Sequence, residues 1–176
     1  MMKKTIVLTA LVASAIAYKS SGSSAEVATE TFTIDAETTC LAKNMYFEAK
    51  GQPKAGQIAV SLVVMNRVKD SRFPNTICEV VHQGPTSKWW KEEHDKDVPI
   101  RNKCQFSWFC DGKSDEINDV YAYSGLYLLA TKVLDGRYDG MIEGSTHYHA
   151  TYVNPYWAKT KTYIAQIGDH IFYRWD

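Results

Sequence analysis

Two stretches of helical periodicity in this chain meet at a break. Before it, Leu41, Met45 and Glu48 recur at i, i+4 and i+7. After it, Ala55, Ile58, Ala59, Leu62, Val63 and Met65 keep the same period and make a strongly apolar helix. Between them stands Gly51-Gln52-Pro53, where glycine ends one helix and proline suits the first turn of the next. The periodicity predicts helices over about 36–49 and 54–69, the first with Asp35 as N-cap and Glu37 as an acid in its first turn.

This placement puts Glu48 on an apolar stripe, one turn from a helix end. Met45, Tyr46 and Phe47 would desolvate its carboxyl, and the negative end of the helix dipole lies beside it; both raise a carboxyl pKa. A carboxylic acid kept partly protonated near neutrality is what a general acid needs. The plain alternative is a helix-surface glutamate. Asn66 poses a similar question, because it follows Leu62 by four residues on the second apolar stripe.

Further along, Arg72-Phe73-Pro74-Asn75 reads as a turn, and 76–82 as a short helical or extended piece. From Gln83 to about Asp115 the periodicity is lost, through Trp89, Trp90, a charged run from Lys91 to Asp97, and CQFSWFCDG. Loops this long in a compact domain are usually functional or pinned by cross-links. A third helix is expected over 116–134, closed by Gly136. Strands are expected over 145–151, 162–167 and 170–175, the last two joined by the hairpin signal Gly168-Asp169. The fold class is therefore α+β: helices, a loop-rich centre, then a small antiparallel sheet with a C-terminal hairpin.

A length of 176 residues suits one domain, and 45% hydrophobic with 23% charged residues is a globular composition. The formal net charge of zero offers no long-range attraction to nucleic acid. Met1-Met2-Lys3-Lys4, the apolar run from Thr5 to Ala17, and small-x-small sites read as a secretory signal peptide over 1–17, with cleavage as late as 25 as an alternative. A retained anchor is the runner-up. Residues 18–34 read as a linker and 35–176 as the folded domain. Export fits the even number of cysteines: Cys40, Cys78, Cys104 and Cys110 are expected to form two disulfides, their connectivity left open.

Thr146-His147-Tyr148-His149 would form a strand with Thr146 and Tyr148 on one side and the histidines on the other. A His-x-His pair raises the possibility of zinc, but His82, His94 and His170 supply no recognisable third-ligand spacing. Neither a G-x-S-x-G elbow nor a P-loop nor a dinucleotide fingerprint is present.

Taken together, CLAKNMYFEAKGQPKAGQIAVSLVVMNRV, FPNTICEVVHQ, CQFSWFCDG, THYHATYVNPYW and IGDHIFY resemble the SleB-like cell-wall hydrolase family, which includes spore-cortex lytic enzymes. The ordered set of blocks carries the resemblance, from Cys40 to Tyr173. Family members commonly read EARGE where this chain has Glu48-Ala49-Lys50-Gly51-Gln52, so positions 50 and 52 depart from the pattern.

The resemblance implies a lysozyme-like domain that cuts peptidoglycan with Glu48 as the catalytic group. It points to the lytic transglycosylase mechanism, in which one carboxyl serves as acid and then as base and the usual second carboxylate is dispensable. Asp97, Asp111 and Asp115 would serve a hydrolytic variant. Thr146 and Tyr148 are implied to hold the sugar or orient Glu48. Gln105, Phe106 and Ser107 would line the same groove, with Tyr46 and Asn66 completing the expected substrate-binding set. No cofactor is expected. The implied partner is the glycan strand, met as a monomer in the periplasm or outside the cell, with a membrane contact only through an uncleaved N-terminal segment. The rivals are a zinc amidase built on His147 and His149, and a non-catalytic wall-binding module.

Overall fold

The computed structural model describes residues 24–176, with side chains from residue 36 onward. The expected signal segment and the first part of the expected linker lie outside the described residues. The rest of that linker is helical: α1 runs over Ser24–Ala49 rather than beginning at 36. No proline or glycine interrupts this stretch, and a capping residue at position 35 permits a helix start without forcing one.

Glu37 has a different role from first-turn acid of its own helix. Its carboxylate accepts the backbone N–H groups of Ile77 (2.5 Å) and Cys78 (3.4 Å), at the start of α3 (Ile77–Val81). Thr76 caps the same end: its Oγ1 accepts from Glu79 N and donates to Glu79 Oε2. A disulfide between Cys40 and Cys78 then joins α1 to α3.

The second helix, α2, spans Lys54–Lys69, as its periodicity predicts. Leu41, Met45, Val60, Val63, Val64, Val80, Val81 and Val133 are buried where α1, α2 and α3 meet α5 (Val120–Leu134). The expected start of α5 at 116 is four residues early, because Asp119 makes the N-cap, accepting from Ala122 N at 2.9 Å.

The centre of the chain is less featureless than its lost periodicity suggests. It contains the short α4 (Lys88–His94), an isolated antiparallel bridge between Thr86 and Pro99, and a 3-10 turn over Ser107–Cys110. A disulfide between Cys104 and Cys110 closes that turn. Gly84 lies against it so closely that an added Cβ would meet Cys104 Sγ at 2.9 Å.

The sheet has the order β1-β3-β2, all antiparallel: β1 is His147–Ala150, β2 Thr162–Ile167 and β3 His170–Arg174. Phe172 of β3 is fully buried. Two side chains from the end of α2 tie the sheet to the helices: Asn66 Nδ2 donates to Ser145 O (2.9 Å) and Arg67 Nε to Thr146 O (2.8 Å). At the opposite corner, Gln52 accepts from Asp169 N (3.0 Å) and donates to Asp169 Oδ2 (3.1 Å), which clasps the α1–α2 turn to the β2–β3 turn.

Candidate active site

Glu48 is delivered by the last turn of α1, with Met45 below it in the core. Its carboxyl is half-buried, and Tyr148 of β1 donates a hydrogen bond from its hydroxyl to Glu48 Oε2 at 3.0 Å. Burial raises the Glu48 pKa above the ordinary glutamate value, and the Tyr148 hydrogen bond pulls partly the other way. Tyr148 itself is pushed well above the usual tyrosine value, chiefly by burial and then by the Glu48 charge. It therefore remains a hydroxyl donor across the physiological range.

A hollow opens on either side of this carboxyl. The larger, of about 480 Å³, is lined by Glu48, Ser107, Asp111, Asp115, Tyr152 and His170 among others. The smaller, of about 290 Å³, is bounded by Glu48, Arg67, Gln105, Phe106, His147 and Trp157, with Ser107 and Tyr148 shared between the two. Glu48 thus stands where the two hollows adjoin, in the groove they make together.

The disulfide-closed turn forms one wall of the groove because α1 anchors it there. Trp108 Nε1 donates to the buried Asn44 Oδ1 at 3.0 Å, and the Trp108 ring stacks on Phe47 at 4.7 Å. Asn44 lies one turn before Glu48 on the same helix, so a single helix sets both the acid and the loop that faces it. His82 stacks on Phe109 at 4.1 Å and supports the turn from behind.

Of the expected binding residues, Gln105, Phe106, Ser107 and Tyr148 are brought around Glu48. Tyr46 is not. It is two positions before Glu48, and residues two apart do not share a helix face. Its hydroxyl instead accepts from Lys50 Nζ (3.2 Å) and Asp119 N (3.1 Å), fixing the start of α5. Asn66 is spent on the Ser145 carbonyl and lines neither hollow. Thr146 is also absent from the walls: it is buried, its carbonyl taken by Arg67 and its Oγ1 paired with His147 Nδ1 at 2.9 Å.

Among the described residues, no three His, Cys, Asp or Glu side chains converge as a metal site would require. His149 Nε2 is paired with the Tyr173 hydroxyl at 3.1 Å, and its ring stacks on Tyr173. His147 is held largely neutral, its pKa lowered to about 4 by burial and by Lys161, Arg67 and Arg72 nearby. Asp97, a carboxylate considered for a hydrolytic variant, pairs with Lys91 at 3.0 Å, whereas Asp111 and Asp115 line the larger hollow.

Arg67, His170, Tyr152 and Trp157 reach the groove without having been singled out from sequence. Arg67 left a signal: it follows Val60 and Val63 at i+7 and i+4, on the buried side of α2. The other three follow loop or sheet geometry that no period marks.

The cell wall hydrolase family profile matches residues 51–173. Spore cortex-lytic enzymes are similar over shorter stretches. That of Bacillus cereus is 42% identical over 43 residues, covering 24% of this chain and 17% of the relative. That of Oceanobacillus iheyensis is 34% identical over 62 residues, covering 32% of this chain and 22% of the relative. Among solved structures, the catalytic domain of the germination-specific lytic transglycosylase SleB from Bacillus anthracis superposes with a TM-score of 0.50 at 23% identity, over 78% of this chain and 93% of that one. The fold is thus the lysozyme-like α+β fold of that domain, and the chain belongs to the cell wall hydrolase family.

Proposed function

We propose that this protein cleaves the bond between N-acetylmuramic acid and N-acetylglucosamine in peptidoglycan as a lytic transglycosylase, with Glu48 as its acid and base. The observation that carries the reading is the state of Glu48: a partly dehydrated carboxyl, its pKa raised, in the groove with Tyr148 on one oxygen. Protonated, it gives its proton to the glycosidic oxygen as the bond to the anomeric carbon breaks. Tyr148 stabilises the carboxylate so formed. That carboxylate then takes the proton of the C6 hydroxyl of the muramic acid residue, whose oxygen closes on the anomeric carbon to give a 1,6-anhydro ring. Water is not consumed and the proton returns to Glu48.

Similarity to spore cortex-lytic enzymes and to the catalytic domain of a germination-specific lytic transglycosylase supports the same substrate. A peptidoglycan substrate and two disulfides also support a site of action beyond the cytoplasm. Asp111 and Asp115 give a hydrolytic variant a structural basis, since either could direct a water from the larger hollow.

Glu48→Gln tests the assignment, because the amide keeps the shape and can still accept from Tyr148. Turbidity clearing of sacculi should fall by at least about 100-fold while binding to sacculi and folding are retained. Activity within about tenfold of the parent, in a folded variant, would make Glu48 structural. Mass spectrometry of the parent's products separates the two chemistries: anhydro-muramic ends mark transglycosylation and reducing ends mark hydrolysis.

A further inference from the structure

Arg67 sits in the last turn of α2 with only 5% of its surface exposed, yet it is one of the residues that line the smaller hollow beside Glu48. Nε is occupied by the Thr146 carbonyl, while Nη1 is enclosed and has no hydrogen-bond partner among the described residues. The rings of Phe73 and Phe106 flank the group at 5.1 and 5.3 Å. No carboxylate pairs with it among the described residues. Burial lowers its pKa to about 10, so it still carries its charge at neutral pH.

Enclosing a cation without a counter-ion, and leaving one of its donors unpaired, is costly. A cost of this kind in a groove wall is offset when a ligand brings the missing oxygen. The two hollows also differ in charge. Carboxylates of Asp111 and Asp115 line the larger, with Lys113, whereas Arg67 is the charged side chain besides Glu48 in the smaller.

We infer that Arg67 receives an acyl oxygen of the lactyl arm of muramic acid, and so places that sugar on the smaller-hollow side of Glu48. The inference rests on peptidoglycan being the substrate. The lactyl arm ends in a carboxylate where the peptide stem has been removed and in an amide carbonyl where it is attached; both offer an acyl oxygen to the guanidinium. Uncharged N-acetylglucosamine then falls in the larger hollow, and the strand has one direction of binding. That direction is the one the proposed chemistry needs, because the anhydro ring forms on the muramic residue.

The test measures binding rather than cleavage, so its outcome is separate from that of the Glu48 assignment. In a Glu48→Gln background, titrate a stem-free GlcNAc–MurNAc tetrasaccharide, the same sugar with its lactyl carboxyls reduced to alcohols, its stem-bearing form, and chitotetraose. A charge-assisted hydrogen bond predicts about 10- to 100-fold tighter binding of the carboxylate form than of the alcohol form. Adding Arg67→Met should bring that ratio near one and leave chitotetraose affinity within about twofold, a change of selectivity that a merely structural arginine would not produce. Dependence of the stem-bearing sugar on Arg67 identifies the amide carbonyl as a ligand; independence assigns the site to the free carboxylate.

Equal affinity for the carboxylate and alcohol forms, absence of binding to any of these sugars, or a preference that survives Arg67→Met would overturn the inference. If Arg67→Met does not fold, the preference must survive Lys161→Met and Arg72→Gln, the other cations near His147. Its loss in either variant places the anion receptor elsewhere and rejects Arg67.

Discussion

The two disulfides pin two regions of opposite character. Cys40–Cys78 joins residues 38 apart in sequence and fastens α3 to α1 where Leu41, Val80 and Val81 are already buried. Cys104–Cys110 joins residues only 6 apart and closes a turn that presents Ser107 to the groove. The first is surrounded by core that would hold much of its geometry without it. The second shapes a loop whose attachment depends on a few contacts: the Trp108–Asn44 hydrogen bond, the ring stacks on Phe47 and His82, and Gln105 N donating to Gln83 O at 2.8 Å. Cross-linking here acts on stability in one place and on the shape of a site in the other.

Breaking the long-range bond should give the larger stability effect. Loop-closure entropy assigns the Cys40–Cys78 constraint about 4 kcal/mol, so Cys40→Ser/Cys78→Ser should show a marked fall in melting temperature with near-parental kcat in the fraction still folded. Equal loss of kcat and stability would mean that the helical anchor also sets the groove. Cys104→Ser/Cys110→Ser should cost roughly 2 kcal/mol by the same relation, yet reduce kcat/KM on sacculi by about tenfold or more, because the Glu48-facing wall loses its fixed position. A variant that loses stability and keeps its rate constants would dissolve the contrast between the two regions.

Acid pH offers a finer test on the groove rim. Unfolded histidine takes up its proton near pH 6.5, whereas folded His147 resists protonation until about 4, mainly through burial. Between these values the unfolded chain binds more protons, so stability falls as pH drops through that window. His147→Phe keeps an aromatic ring beside Trp157 and should flatten the dependence of melting temperature on pH between about 7 and 4.5. Since burial also lowers the pKa of His82 and His170, the slope should diminish without vanishing. An unchanged slope would show that His147 adds nothing to acid sensitivity.

The helices and strands that bury a periodic face were legible in the sequence. The whole of α2, the β2–β3 hairpin and the inward position of Glu48 follow from spacing, because burial of one face imposes the period. The start of α1 is not legible in the same way: an N-cap residue marks where a helix is able to begin, and position 35 lies inside one. Tyr46 faces away from the groove, because the helical geometry that brings Glu48 there turns a residue two positions earlier elsewhere. Asn66 and its neighbour Arg67 both turn toward the sheet, but only the longer side chain also reaches the groove, a difference that spacing does not reveal. The wall made by 104–110 depends on a cross-link and a ring stack between distant residues, neither of which leaves a period in the chain.

The clasp between Gln52 and Asp169 ties sequence change at one turn to sequence change at another. A glutamine at 52 can accept from the Asp169 backbone and donate to its carboxylate at once; a glutamate there would accept but set two like charges face to face. Gly168 belongs to the same arrangement, because its positive φ of 59° favours glycine and an added Cβ would collide with the Gln52 amide. Positions 52, 168 and 169 therefore constrain one another within this chain. A homologue with glutamate at 52 is expected to abandon aspartate at 169, and a chimera that takes its first turn from one lineage and its hairpin from another will carry a mismatch where the helical and sheet halves meet.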